Sequence, residues 1–203
     1  MRTRLLTSFV TIALCSISAF SSQKDCSALF RGRYVNSDHG YSFAVPSGLG
    51  GQWQSSCTYD ELLRDCICMG SHGLYVALSK TSGINVFSAY PVELDDEKPT
   101  QAQILTSMVK AQREAGKELG ATALSVESVI VRNNWARRVS MRWLDAESKR
   151  PMKKVSFLFV TRVNGSEWPS AEVTVSLVAP EAEFDARIPL LDEVLQGFKW
   201  LRD

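Results

Sequence analysis

The sequence predicts an α+β fold: an antiparallel sheet with a long central helix and a C-terminal helix packed on it. Three observations carry this. Between Leu124 and Leu177, four successive stretches alternate apolar and polar residues and are separated by short turn clusters, the pattern of an antiparallel meander. Before them, Ile104, Met108, Ala111, Ala115 and Leu119 recur at helical spacing. After them, Phe184, Ile188, Leu191, Val194 and Leu195 do the same.

The first residues are read as an export signal and not as part of the fold. Arg2 and Arg4 form a positive start, Leu5 to Leu14 is apolar apart from Thr7, Ser8 and Thr11, and small residues follow at Ser16, Ser18, Ala19, Ser21 and Ser22. The apolar run is well short of the roughly 20 residues that a spanning helix needs, so cleavage is expected and no transmembrane anchor. The expected organisation is therefore a signal peptide over residues 1–22 and a single α+β domain over 23–203, secreted or periplasmic. Lipidation is not expected, because Leu14 before Cys15 is large and Cys26 follows Lys24 and Asp25. Losing Arg2 and Arg4 takes the balance from 23 basic and 22 acidic residues to 21 and 22. A nearly neutral chain gives no global field for nucleic acid or membrane, and no nucleic-acid partner is expected.

Once Cys15 is removed, Cys26, Cys57, Cys66 and Cys68 remain. An even number of cysteines in an exported chain points to disulfides. Cys66 and Cys68 are too close in sequence for an unstrained bond, so pairing across segments is expected. Cys57 would join Cys66 or Cys68, and Cys26 would take the other. The alternative is a soft-metal site of the Cu(I) kind, since Cys66, Cys68, Met69 and His72 bring two thiols, a thioether and an imidazole together in a short stretch. The disulfide reading is preferred for an oxidising compartment, and no cofactor is expected.

Along the chain, Tyr34 and Val35 lead into the turn cluster Asn36-Ser37-Asp38-His39-Gly40, and Tyr41, Phe43 and Val45 return as a second strand. The glycines at Gly48, Gly50 and Gly51 lack the Lys-Ser/Thr of a phosphate loop and read as a connection. Thr58 and Glu61 form a capping-box pattern that predicts one or two helical turns over 58–65. Leu74, Val76 and Leu78 predict a strand, Ser82-Gly83 a turn, and Ile84, Val86, Phe87 and Tyr90 its neighbour. Asp95 to Pro99 is the clearest break.

Thr100 and Gln103 then cap the central helix, and Gly120 ends it. In the meander, Leu124, Val126 and Ile130 are expected on one face. Trp135, Val139, Met141 and Trp143 alternate with Ala136, Arg138, Ser140 and Arg142, and Asp145 to Pro151 is a hairpin loop. Val155, Phe157 and Phe159, then Val173, Val175 and Leu177, complete the sheet. In the last helix Pro189 marks either the first turn or a kink, Gly197 closes it, and Phe198 and Trp200 fold back as apolar plugs.

The segments Gly40-Tyr41-Ser42-Phe43-Ala44-Val45-Pro46 and Leu190-Leu191-Asp192-Glu193-Val194-Leu195-Gln196-Gly197-Phe198, with this order of elements, resemble the PsbP-like α+β sandwich. That group includes photosystem extrinsic proteins and exported bacterial relatives of the DcrB type. The resemblance covers most of the expected domain. It implies helix–sheet–helix layers used mostly for binding and assembly, and brings no catalytic motif.

Chemistry is sparse. The two histidines, His39 and His72, read as polar loop residues, and Ser71 beside His72 points to the opposite face of an extended chain. No nucleophile elbow or metal-hydrolase spacing occurs. An enzyme is the third reading. The functional expectation rests on charge. Arg132, Arg137, Arg138, Arg142, Lys149, Arg150, Lys153 and Lys154 lie against only Asp145 and Glu147. Arg138 and Arg142 share a strand face, and the hairpin is expected to bring Lys154 near them. The sequence thus predicts an exported, non-catalytic binding or scaffold domain. Its partner would be a protein, lipid or anionic polymer of the envelope or medium, held by a basic sheet face.

Overall fold

Residues 32–45, 53–55, 58–60, 65–67, 71–91, 99–162 and 170–201 are described by the structure, a computed structural model. The expected signal segment, Cys26, Cys57, Cys68 and Met69 lie outside the described residues.

The alternating stretches of the sequence form long strands: β8 (Ala123–Val131), β9 (Asn134–Leu144), β10 (Pro151–Arg162) and β11 (Ser170–Pro180). Ahead of them come β1 (Arg33–Asn36), β2 (Tyr41–Ala44), β3 (Gln54–Ser55), β4 (Thr58–Asp60), β5 (Asp65–Ile67), β6 (Ser71–Ala77) and β7 (Gly83–Ala89). The helices are α1 (Gln101–Glu118) and α2 (Glu181–Gly197), followed by β12 (Phe198–Trp200). One antiparallel sheet of seven strands runs in the order β3-β6-β7-β11-β10-β9-β8. β1, β2 and β12 form a second sheet, and β4 pairs with β5. The α+β class and the antiparallel meander expected from the sequence are what the chain adopts.

Because strand side chains alternate, the large sheet has two faces and two cores. On one face, Val139 and Met141 of β9 and Leu158 of β10 are buried beneath Ile104 and Met108 of α1. On the other, Val155, Phe159, Val173, Val175 and Leu177 meet Phe184, Leu191, Val194 and Leu195 of α2 together with Tyr41, Phe43 and Phe198 of the small sheet. The layers are thus α1, the large sheet, and then α2 beside the small sheet.

The start of α1 follows the sequence pattern closely. The Gln103 N–H donates to Thr100 Oγ1 at 3.3 Å, and the Thr100 N–H donates back to Gln103 Oε1 at 2.8 Å. Gly120 adopts φ +67°, the left-handed conformation that ends helices. The buried stripe, however, is rotated from the predicted one. Ala111 and Leu119 are exposed, while Gly116 is buried. A Cβ on Gly116 would lie 3.2 Å from Leu124 Cδ1, so the helix end rests on β8 through this glycine.

Five further differences have physical causes. Residues 58–60 and 65–67 form paired strands and not helical turns, with Thr58 opposite Ile67 and Tyr59 opposite Cys66. β-branched and aromatic residues there outweigh one capping pattern. Ile130 shares a face with Leu124 and Val126 but is 61% exposed, and its cross-strand partner Trp135 is 64% exposed. Both lie beyond the buried stripe of α1, whereas Val129 and Val131 turn toward the opposite core. Pro189 sits in the interior of α2, exposed, where its missing N–H removes one helical bond. Finally, Phe198 and Trp200 belong to a strand: β12 pairs with β2, and Phe198 stacks on Tyr41 and Phe43 at 5.5 and 5.1 Å between ring centres.

Candidate functional site

A two-residue turn joins β8 to β9. Arg132 and Asn133 have φ of 51° and 63°, the paired left-handed conformation of a type I′ hairpin, and Asn134 Nδ2 donates to the Arg132 carbonyl at 2.9 Å. From there β9 pairs with β10 only between Arg137↔Leu158 and Leu144↔Pro151, although β10 continues along β11 to Arg162. At this open end a cleft of about 490 Å³ lies between the strands. Asn133, Asn134 and Trp135 line it from the hairpin, Val160, Thr161 and Arg162 from β10, and Gln101 from the start of α1. Gly40, Trp200 and Leu201 complete it.

The floor is well anchored. Trp200 packs at a tilt on Phe159, 5.2 Å between ring centres, and on Phe198 at 5.7 Å. The Leu201 N–H donates to the Gly40 carbonyl at 2.9 Å, tying the end of β12 to the β1–β2 turn. Thr161 Oγ1 donates to the His39 carbonyl at 2.7 Å, tying that turn to β10. Among the described residues the lining thus presents two indoles, three carboxamides and one guanidinium, and no carboxylate. Its size lies within the range of ordinary small-ligand sites, about 300–1,000 Å³, while its lining is more polar than theirs.

Beneath this floor is a buried polar cluster made by both histidines. The His39 N–H donates to Asn36 Oδ1 at 2.9 Å, which shapes the turn, and the His39 side chain is fully buried. Its Nδ1 lies 2.7 Å from Ser88 Oγ, which is also 3.0 Å from the Tyr41 hydroxyl. The His39 ring meets those of His72 and Tyr90 edge-on at 4.7 and 4.6 Å between centres. His72 Nε2 lies 3.9 Å from Asp38 Oδ2. Burial, reinforced by His72 and opposed by Asp38, pushes His39 down to about 4. Burial also lowers His72, and Asp38 opposes that as well. Both rings are therefore neutral near pH 7, and His39 Nε2 has no hydrogen-bond partner among the described residues.

The Ser88–His39 spacing is that of a nucleophile and its base. Yet Ser88 is fully buried and does not line the cleft. In this arrangement the cluster clamps the β1–β2 turn to β7 and β10. His39 and His72, read from sequence as polar loop residues, are instead mutual neighbours in the interior. Their separation in the chain gave no local signal of this.

The eight basic residues singled out from the sequence do not form one surface. In the β9–β10 register Arg142 stands opposite Lys153, and Lys154 stands opposite Met141, so Lys154 lies on the α1 face and not beside Arg138 and Arg142. Its Nζ donates to Gln112 Oε1 of α1 at 3.1 Å, and burial lowers its pKa. Arg137, on the same face, bonds to Ser128. Arg138, Arg142 and Lys153 share the opposite face, each beside a carboxylate. The distances are Arg138–Glu127 3.6 Å, Arg142–Glu181 3.3 Å and Lys153–Asp185 3.6 Å. Lys153 also lies 4.4 Å over the Phe184 ring. Lys149 and Arg150 lie in the hairpin loop, where Asp145 accepts from the Ser148 N–H at 2.7 Å and Lys149 has φ 55°.

Of the proposed metal ligands, Cys68 and Met69 lie outside the described residues. Cys66 is on β5, and His72 is on β6 beside His39. Among the described residues no cluster of His, Cys, Asp and Glu has the arrangement of a metal site. No helix among them is long and apolar enough to cross a membrane.

No protein-family model matches the chain, and no curated relative does. Among solved structures the chain is similar in fold to PsbP of the cyanobacterium Synechocystis sp. PCC 6803, at 14% identity over 83% of this chain and 91% of that one, with a TM-score of 0.45. It is likewise similar to LpqN of Mycobacterium tuberculosis, which is involved in cell envelope biogenesis: 9% identity, 75% and 86% coverage, TM-score 0.43. The Ran-binding protein Mog1p of Saccharomyces cerevisiae matches at 12% identity, with 83% and 94% coverage and a TM-score of 0.42.

Proposed function

We propose that this chain is an exported, non-catalytic binding domain that holds its ligand in the cleft at the open end of β9 and β10. The observation that carries the reading is the lining: Trp135 and Trp200 with Gln101, Asn133, Asn134 and Arg162, and no acidic residue among the described residues. A residue as large as Trp135 left 64% exposed on a strand invites a partner surface. Export follows from the signal-like residues 1–22, and secretion or a periplasmic location follows from export. The test is a ligand screen on the mature chain, read by tryptophan fluorescence and by the indole resonances of Trp135 and Trp200. Hits that leave both indoles unmoved would refute the cleft as the site.

A second reading keeps the anionic partner on the basic segment. It is favoured by Lys149 and Arg150, which stand at the hairpin tip, but a partner there competes with Glu127, Glu181 and Asp185 for Arg138, Arg142 and Lys153. Replacing Lys149 and Arg150 by Gln should then weaken binding and reduce its salt dependence. For the cysteines, the Thr58↔Ile67 pairing favours a Cys57–Cys68 bond, since these residues directly precede and follow that pair in the chain. Peptide mapping without reduction tests it. Free thiols together with bound copper in elemental analysis would instead support the site of Cys66, Cys68, Met69 and His72.

A further inference from the structure

The lining of the cleft carries a more specific reading, which rests on the binding function just proposed. We infer that the cleft recognises an acidic saccharide, with a pyranose ring against the Trp135 indole and a uronic carboxylate on Arg162. A sugar ring has two unlike surfaces: C–H faces that pack on flat aromatic rings, and a rim of hydroxyls that both donate and accept. Trp135 supplies an exposed aromatic face on a short, conformationally defined hairpin. Around it, the carboxamides of Asn133, Asn134 and Gln101 each carry a donor group and an acceptor, the pairing a hydroxyl rim requires.

Charge narrows the class. Arg162 is exposed at the cleft, and none of the ion pairs among the described residues involves it. Its guanidinium offers a planar fork of donors that fits a carboxylate through two parallel bonds. Among the described residues no carboxylate lines the cleft to repel such a group. Among the described residues aliphatic lining is limited to Val160 and Leu201, too little for the side-chain pockets by which extended peptides are read. Saccharide recognition needs only the aromatic platform and the polar rim.

The experiment uses the mature chain with tetrasaccharides of galacturonate, glucuronate and mannuronate, their methyl esters, neutral cellotetraose, and AMP as a stacking anion of another class. Binding is read by tryptophan fluorescence and calorimetry. At least one acidic tetrasaccharide should bind saturably, and more tightly than its ester. Trp135→Ala should weaken it at least tenfold. Arg162→Gln should abolish the preference for acid over ester. Asn133→Asp, at a left-handed position that Asp tolerates, should weaken the acid more than the ester.

Failure of every acidic tetrasaccharide to bind, binding untouched by Trp135→Ala, or tighter binding of AMP would overturn the inference. If cellotetraose binds, with sensitivity to Trp135→Ala and no preference for acids, the saccharide charge assignment falls and the binding function stands. If the screen described above finds no ligand at the cleft either, both fall.

Discussion

The two ends of one strand pair, β9 and β10, carry opposite lessons about charge. At the hairpin end the chain concentrates arginines and lysines, yet Arg142 and Lys153 stand beside Glu181 and Asp185 of α2. That end is dense in charge and locally balanced. At the open end the strands part, and among the described residues one cation, Arg162, shares a cleft with indoles and amides and no carboxylate. Local density of charge is thus a poor guide to an available charge. What matters is whether another element brings the counter-ion, and α2 does so only at the hairpin end.

The strongest way to break this contrast is to remove the floor of the open end. Phe198→Ala should cost about 3–5 kcal/mol, because the ring is buried between Tyr41, Phe43 and Phe159 and leaves a cavity. Chemical denaturation reads it, and a cost like that of a surface substitution would mean β12 does not hold the floor.

Acid is the next lever, acting through His39. The groups facing it are Ser88, Tyr41, Asn36, His72, Tyr90 and Asp38. Its folded pKa lies below the unfolded value, so between the two the unfolded chain binds the proton first. Stability is complete above roughly pH 6.5 and declines as pH falls toward 4, by about 3 kcal/mol from this residue. Denaturation midpoints measured across that window should fall, and His39→Gln should flatten the slope.

At the hairpin end the expected effects are smaller. A double-mutant cycle on Arg142 and Glu181, both substantially exposed, should return a coupling of no more than about 1 kcal/mol, falling with salt. A coupling of several kcal/mol would show that this end is more than balanced surface charge. Smallest of all, Trp135→Ala should leave stability within about 0.5 kcal/mol of the parent. A large loss there would make Trp135 a packing residue and remove the platform from the cleft.

Much of the fold was legible because it is encoded by short-range pattern. The Thr100–Gln103 capping box and Gly120 bracket α1, and strict alternation marks β9, β10 and β11. Pattern alone could not say where a covering layer stops. Ile130 and Trp135 alternate correctly and are nevertheless exposed, because the buried stripe of α1 does not extend over them. The same holds for Lys154, whose neighbours depend on register: a shift of one position decides whether it joins Arg142 or faces Gln112. The cleft was invisible for a related reason. Gly40, Gln101, Asn133, Arg162 and Trp200 come from distant parts of the chain, and no spacing rule connects them. Only the turn asparagines at 133 and 134 could have suggested a tight hairpin there.

By itself, then, the sequence determined the class of fold, the two long helices with the caps of α1, and the order of the strands in the meander, since these depend on propensity, periodicity and turn chemistry within a few residues. The tertiary structure alone decided which charges are neutralised, which aromatics remain at the surface, and that His39 and His72 meet in the interior. Those outcomes depend on the register of strands and on where α1 and α2 lie across the sheet, and both are set by the packing of the whole chain.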